Sequence, residues 1–235
     1  MGSSYTPKMT SELLRSYSEA ALRNADELLV EASLLYDHGH SARAYFLAVA
    51  CIEEGGKALL AFDSQKRNLS DPAVCIKLKT SMENHAQKIT YSIMRWALKS
   101  VDLQEALEKA SDLIFDLQHG REPSMYTELR TDPDRVCMPR EVARATAARD
   151  CIRLAKNSLA YANRHVREKT PVKSTSAQDK LLTMKSGKFQ DMLSTADFWW
   201  YYISCMEAGQ EEIAEAVLGY ERDHVKNGTS FRPSQ

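Results

Sequence analysis

The run Ala44–Leu60, AYFLAVACIEEGGKALL, decides the fold. Ala44, Ala48, Cys51, Gly55 and Leu59 recur at three- and four-residue spacings, which places them on one face of an α-helix. Glu53, Glu54 and Lys57 fall on the other side, with Lys57 four residues after Glu53 and three after Glu54. That spacing brings carboxylate and ammonium together across one turn, with the acid toward the N-terminus as preferred. As an ordinary surface pair it is worth about 0.3 kcal/mol. Gly55-Gly56 points beyond a surface pair, because each glycine costs about 1 kcal/mol relative to alanine in a helix interior. The doublet implies close helix packing or a local distortion.

The chain as a whole bounds the answer. With 235 residues it can bury one sizeable helical core, in one or two domains. Thirty-one basic residues against 32 acidic ones leave no global field that draws the chain to nucleic acid, although a local basic site is compatible with that balance. No stretch approaches eighteen uninterrupted apolar residues, so a membrane span is not expected. Met1-Gly2-Ser3-Ser4-Tyr5-Thr6 formally fits a myristoylation pattern, but it reads as a flexible start and supports no membrane role. Secretory patterning is absent there. Cys51, Cys75, Cys137, Cys151 and Cys205 are odd in number and widely spaced. They form neither a disulfide framework nor a zinc ladder and fit a reducing cytoplasm. Cys51 and Cys151 lie inside apolar helical patterns and read as small buried hydrophobes.

Working outward, residues 1–10 read as a flexible N-terminus, 11–168 as the helical core, 169–188 as a polar linker or loop, 189–220 as a C-terminal helix on the core or a dimer partner, and 221–235 as a flexible tail. Leu14, Tyr17, Ala21, Leu28, Ala32 and Leu35 predict a long amphipathic helix, ended by Asp37-His38-Gly39-His40. His38 and His40 read as surface histidines. Ser41 is the expected cap of the second helix, which runs antiparallel to the first. A third helix starts at Asp71-Pro72 and carries Met82, Ala86, Ile89, Ile93 and Trp96 as its stripe. His85 borders that stripe, while Lys88, Ser92 and Arg95 turn toward the polar side. A histidine at a core edge beside cations suits proton transfer or phosphate contact.

Val101–Gln118 reads as a further helix or a helical continuation. Residues 119–139 read as a long loop rich in groups that bind anions, Arg121 among them. Pro139-Arg140-Glu141 starts a helix expected to reach about Arg167. From Phe189 to Tyr220 one substantial helix is expected, whose Trp199, Trp200, Tyr201 and Tyr202 favour an internal position or a protomer interface.

Asn24-Ala25-Asp26, Ala42-Arg43-Ala44-Tyr45 and Cys51-Ile52-Glu53-Glu54-Gly55-Gly56-Lys57 together resemble the front of a HEPN domain of the AbiV abortive-infection family. Asn84-His85-Ala86-Gln87-Lys88 resembles that family's histidine and lysine element, and Tyr126, Thr131-Asp132-Pro133-Asp134 and the Pro139 helix start resemble the loop that follows. The likeness covers about Ser11 to Tyr161, with Gly55 standing where the family has a bulky aliphatic residue. It implies an all-α HEPN-like antiparallel bundle with an additional C-terminal helix.

The function it implies is cytoplasmic, toxin-like antiphage defence that blocks translation or another RNA-dependent process. Implied partners are a second copy in a homodimer, an RNA substrate, and a phage-encoded or host translation-related protein, with no cofactor, metal or membrane. Many HEPN proteins are metal-independent ribonucleases whose signature is an arginine followed after four to six residues by a histidine. Here Lys79 precedes His85 by six positions and Arg164 is adjacent to His165, so neither pair reproduces it. If cleavage occurs, the candidate residues are His85 for the proton, Lys57 and Lys88 for charge at phosphate, and Glu53 or Glu54 to orient them. The alternative is a noncatalytic helical interaction protein that binds a phage or host protein through a dimer interface.

Overall fold

Thr10 opens the first helix: its hydroxyl accepts the Leu13 N–H at 3.1 Å and starts α1 (Ser11–Asp37). In the computed structural model, which describes residues 8–97, 103–131, 134–210 and 212–231, α1 ends where Gly39 takes φ +80°. That left-handed turn lets the His40 N–H reach Leu35 O at 2.8 Å, satisfying a carbonyl the helix end would leave open. α2 (Ser41–Ser64) then packs back along α1. His40, not Ser41, occupies the cap position and makes no side-chain cap bond; its carbonyl instead receives the Ala44 N–H at 3.0 Å.

The elements that follow are α3 (Pro72–Glu83), α4 (His85–Ala97), α5 (Leu103–Arg121), strands β1 (Glu128–Thr131) and β2 (Asp134–Cys137), α6 (Pro139–Val142) and α7 (Ala145–Glu168). The chain is all-α apart from this one hairpin among the described residues, as expected. Residues 1–7, 98–102, 132–133, 211 and 232–235, on which parts of the expected start, helix, loop and tail fall, lie outside the described residues.

Several expected elements divide. The third helix breaks at Asn84, whose Oδ1 accepts the Gln87 N–H at 2.9 Å and so starts α4 afresh. Residues of the expected loop pair as an antiparallel hairpin, Leu129 opposite Val136 and Arg130 opposite Arg135. The expected helix from Pro139 to Arg167 is interrupted at Ala143 and Arg144, both extended, with the Ala143 side chain buried.

The chain forms two compact units. One comprises Lys8–Gln65 and Leu78–Val172, with α2 as its centre, packed by α1, α4 and α7. Ala48, Val49, Cys51, Ile52, Ala58 and Leu59 from α2 meet Ala21, Leu22 and Ala25 from α1, Ile89 and Ile93 from α4, and Ala155, Leu159 and Ala162 from α7. A helix packed on several sides cannot keep a polar face. The two-sided reading of α2 is therefore corrected, because Glu53 is buried.

The glycine doublet explains the approach of α4. A Cβ on Gly56 would stand 2.1 Å from the Lys88 carbonyl oxygen, so only glycine lets the backbones come this close. The same approach rotates α4 from its expected setting: Lys88 and Ser92 are buried, while Ala86 and Trp96 are exposed. Ser92 Oγ and Ser158 Oγ, 2.6 Å apart, satisfy each other across the α4–α7 contact.

The other unit comprises Lys66–Lys77 and the described part of Lys173–Gln235. It contains α8 (Ser176–Thr183), α9 (Ser186–Leu193), α10 (Ala196–Glu207), α11 (Ile213–Tyr220) and a π-helix over Glu221–Val225. Part of the expected linker is thus the helix α8, started by a Thr175 hydroxyl that accepts the Gln178 N–H at 3.1 Å. The single helix expected over 189–220 is divided at Thr195, which caps α10, and at Gly209, whose φ of +81° ends it. Phe198 anchors the small core of this unit with Met192, Val217 and Tyr220, whereas Trp199 and Trp200 are exposed. The expected tail continues the packing, for the Phe231 N–H donates to Asp197 Oδ2 at 2.8 Å.

No helix among the described residues is long and apolar enough to cross a membrane.

Candidate functional site

Glu53 lies on the α4-facing side of α2, and the residue is 4 % exposed. An ionised carboxylate at that depth requires partners. Oε2 faces His85 Nδ1 at 2.7 Å and Lys88 Nζ at 3.2 Å. Oε1 lies 2.7 Å from Arg121 Nε, whose N–H does not point along that line, so the contact is an ion pair without hydrogen-bond alignment. The Arg121 guanidinium also stacks over Phe46 at 4.9 Å and pairs with Glu122.

Three of the expected site residues, Glu53, His85 and Lys88, therefore come together, and Arg121 joins them from the end of α5. Lys57 does not. It pairs with Glu54 one turn away on α2 and lies 5.8 Å from the Tyr17 ring, in a half-buried position.

Within the cluster His85 differs from its neighbours. Its side chain is 56 % exposed, whereas those of Lys88 and Arg121 are at 6 % and 14 %. With Nδ1–H donating to Glu53, Nε2 is left as a basic lone pair at the surface, held in one tautomer by the carboxylate behind it. Lys88 and Arg121 fix that carboxylate. The arrangement can take up a proton from a group brought to His85.

A second cluster escaped the sequence reading. Asp63, near the end of α2, accepts from Tyr91 OH at 2.6 Å, pairs with Arg95 and lies 3.1 Å from His165 Nε2. The signal lay in Tyr91 and Arg95, one turn apart on α4, but nothing local linked them to residues so distant in sequence. Burial works to raise the Asp63 pKa, and is outweighed by the Tyr91 hydrogen bond and by the charge and hydrogen bonds of Arg95 and His165, so it lies below its ordinary 3.8. A carboxylate depressed in the folded state stabilises the fold above its unfolded pKa, and that stabilisation is lost as pH falls through the folded value. The melting-temperature gap between wild type and Asp63→Asn is expected to be widest above about pH 5 and to narrow below about pH 4. A gap that stays constant across an acid titration of both proteins would refute this role.

The five cysteines are all free and buried. Burial pushes the Cys51 thiol up to about 12 and raises Cys151 as well, so neither offers a thiolate nucleophile at neutral pH. Among the described residues no three or more His, Cys, Asp or Glu side chains converge as a metal site would require.

The profile of the AbiV family of HEPN proteins matches residues 13–160, more than half of the chain. The chain belongs to the AbiV family. No curated protein and no solved structure matches it. The AbiV match spans α2, α4 and α5, and so contains Glu53, His85, Lys88 and Arg121, as well as Asp63, Tyr91 and Arg95. It stops short of His165 and of α8 to α11. AbiV membership makes this an abortive-infection protein of the HEPN type.

Proposed function

We propose that this protein blocks phage propagation by acting on RNA or translation in the cytoplasm, as a metal-independent endoribonuclease in which His85 moves the proton. One observation carries the reading: an exposed imidazole, inside the AbiV-matched segment, is oriented by a buried carboxylate 2.7 Å behind it. The RNA 2′-hydroxyl gives its proton to His85 Nε2 while its oxygen attacks the adjacent phosphorus. The bond from phosphorus to the 5′-oxygen breaks, that oxygen takes a proton from solvent, and a 2′,3′-cyclic phosphate and a 5′-hydroxyl remain.

Glu53 orients His85, and Lys88 with Arg121 positions Glu53. Lys57, paired with Glu54, supplies positive charge that a phosphate can share. The same reading takes the protein as a homodimer whose partners are RNA and a phage-encoded or host translation-related protein.

His85→Ala is expected to abolish a discrete cut in a panel of transfer, ribosomal and messenger RNAs, a loss of about 10²–10⁴-fold. The melting temperature should fall by less than in Glu53→Ala, because Lys88 and Arg121 stay on the buried carboxylate, so cutting is compared at matched folded concentration. Undiminished cutting by the variant would remove the assignment.

The hairpin favours a second reading, a noncatalytic interaction protein. Leu129 and Val136 sit directly opposite each other at 77 % and 62 % exposure and form an apolar pair suited to a protein partner. In that case neither wild type nor His85→Ala cuts RNA, and Glu53 or Lys57 substitutions alter melting or partner binding alone.

A further inference from the structure

A cavity of about 610 Å³ opens in the second unit, between the segment after α2 and the residues leading into α8. Lys66, Arg67, Asn68, Asp71, Lys173 and Lys180 line it, with the Ser174 and Ser176 side chains. Its acids already have partners. Asp179 receives Arg67 at 2.8 Å and the Asn68 N–H at 3.0 Å, and Asp71 accepts the Ala73 N–H at 2.8 Å at the start of α3. The cavity shape is held by these bonds and by the Ser174 N–H on Lys66 O at 3.4 Å.

Lys66, Lys173 and Lys180 remain. All three are exposed, and none forms an ion pair among the described residues. Arg67 and Asp179 offset each other and Asp71 offsets one ammonium, so the three lysines leave the concavity with a net positive charge. That arrangement is relieved by an anion with more than one charge.

We infer that this cavity binds a small molecule carrying a di- or triphosphate chain, with Lys66, Lys173 and Lys180 on the phosphates and Arg67 held in place by Asp179. Ammonium groups are compact point charges with rotatable donors, which suits phosphate oxygens spaced along a chain. The volume falls in the range of small-molecule sites, roughly 300–1,000 Å³, and so accommodates a nucleotide rather than a length of polymer. The lining belongs to a different unit from His85; Lys66, Arg67, Asn68 and Asp71 fall within the AbiV match, and Lys173 and Lys180 fall beyond it.

The test is isothermal titration calorimetry of the full chain with sodium tripolyphosphate and with ATP, at about 50 mM salt where surface electrostatics are least screened. The variant is Lys66→Ala/Lys173→Ala/Lys180→Ala, whose positions are exposed and whose fold is checked by its melting temperature. Saturable binding to wild type, weakened by about tenfold or more in the triple variant, is the expected result. ATP binding tighter than tripolyphosphate assigns the nucleoside as well as the phosphates; equal binding assigns the phosphate chain alone. No saturable binding, or equal affinity in the variant, overturns the site. A single-stranded RNA that displaces tripolyphosphate more effectively than ATP overturns the small-molecule assignment.

Discussion

Glu53→Ala is expected to destabilise the helical bundle by about 3–5 kcal/mol, the cost of breaking a buried ion pair by removing one partner. Lys88 and Arg121, with side chains only 6 % and 14 % exposed, would be left at the α2–α4–α5 junction without their carboxylate. For a chain of this size the melting temperature should fall by about 10 °C. The neighbouring Glu54→Ala provides the contrast. It breaks a half-buried one-turn pair with Lys57, and about 1 kcal/mol is expected. Adding Lys88→Met to Glu53→Ala should recover part of the loss, since an apolar side chain removes the uncompensated charge. Equal melting temperatures for Glu53→Ala and Glu54→Ala would show that the buried cluster does not hold the bundle.

Gly56→Ala carries the second large effect. The added methyl would lie 2.1 Å from Lys88 O, 2.9 Å from its carbonyl carbon and 3.2 Å from Ser92 Cβ. Two of those three atoms are backbone, so α4 must move as a whole, and about 3 kcal/mol or more is expected. The shift also draws Lys88 and His85 away from Glu53, so on the proposed ribonuclease mechanism cutting falls along with stability. Gly55→Ala separates this effect from helix propensity. Its methyl would meet Ser92 Oγ at 3.8 Å and Ala162 Cβ at 3.9 Å, ordinary contacts, and alanine favours the helix by up to about 1 kcal/mol. Gly55→Ala should therefore melt at or above the wild-type temperature. Thermal melts showing the two variants equally destabilised would refute close packing at Gly56 as the reason for the doublet.

Much of the bundle was legible because helical periodicity is local. The stripe along α1, apart from the exposed Tyr17, the Gly39 turn and the run of α2 all follow from residues within a few turns of one another. The misses were local as well, at short-range signals that the stripe outweighed. Asn84 followed by Gln87 is a helix-start pattern inside an apolar repeat, and Thr195 is a cap within an aromatic run. The hairpin was hidden by its mixed charge, with Arg130 opposite Arg135 where like charges weaken pairing.

The candidate site divides along the same line. Glu53, His85 and Lys88 stood out by residue type and spacing, and Gly55-Gly56 announced a close approach without saying of what. By itself, then, the sequence determined an all-α chain, an α1–α2 hairpin, a charged interruption in α2 and membership of a helical defence family. Tertiary structure alone decided that Glu53 is buried, that it receives Arg121 from a helix more than fifty residues away, and that Lys57 turns to Glu54 instead. Periodicity specifies which face of a helix is apolar, but α2 is surrounded, so burial there depends on which helices arrive and how closely. That distance was set at Gly56, by the absence of a side chain.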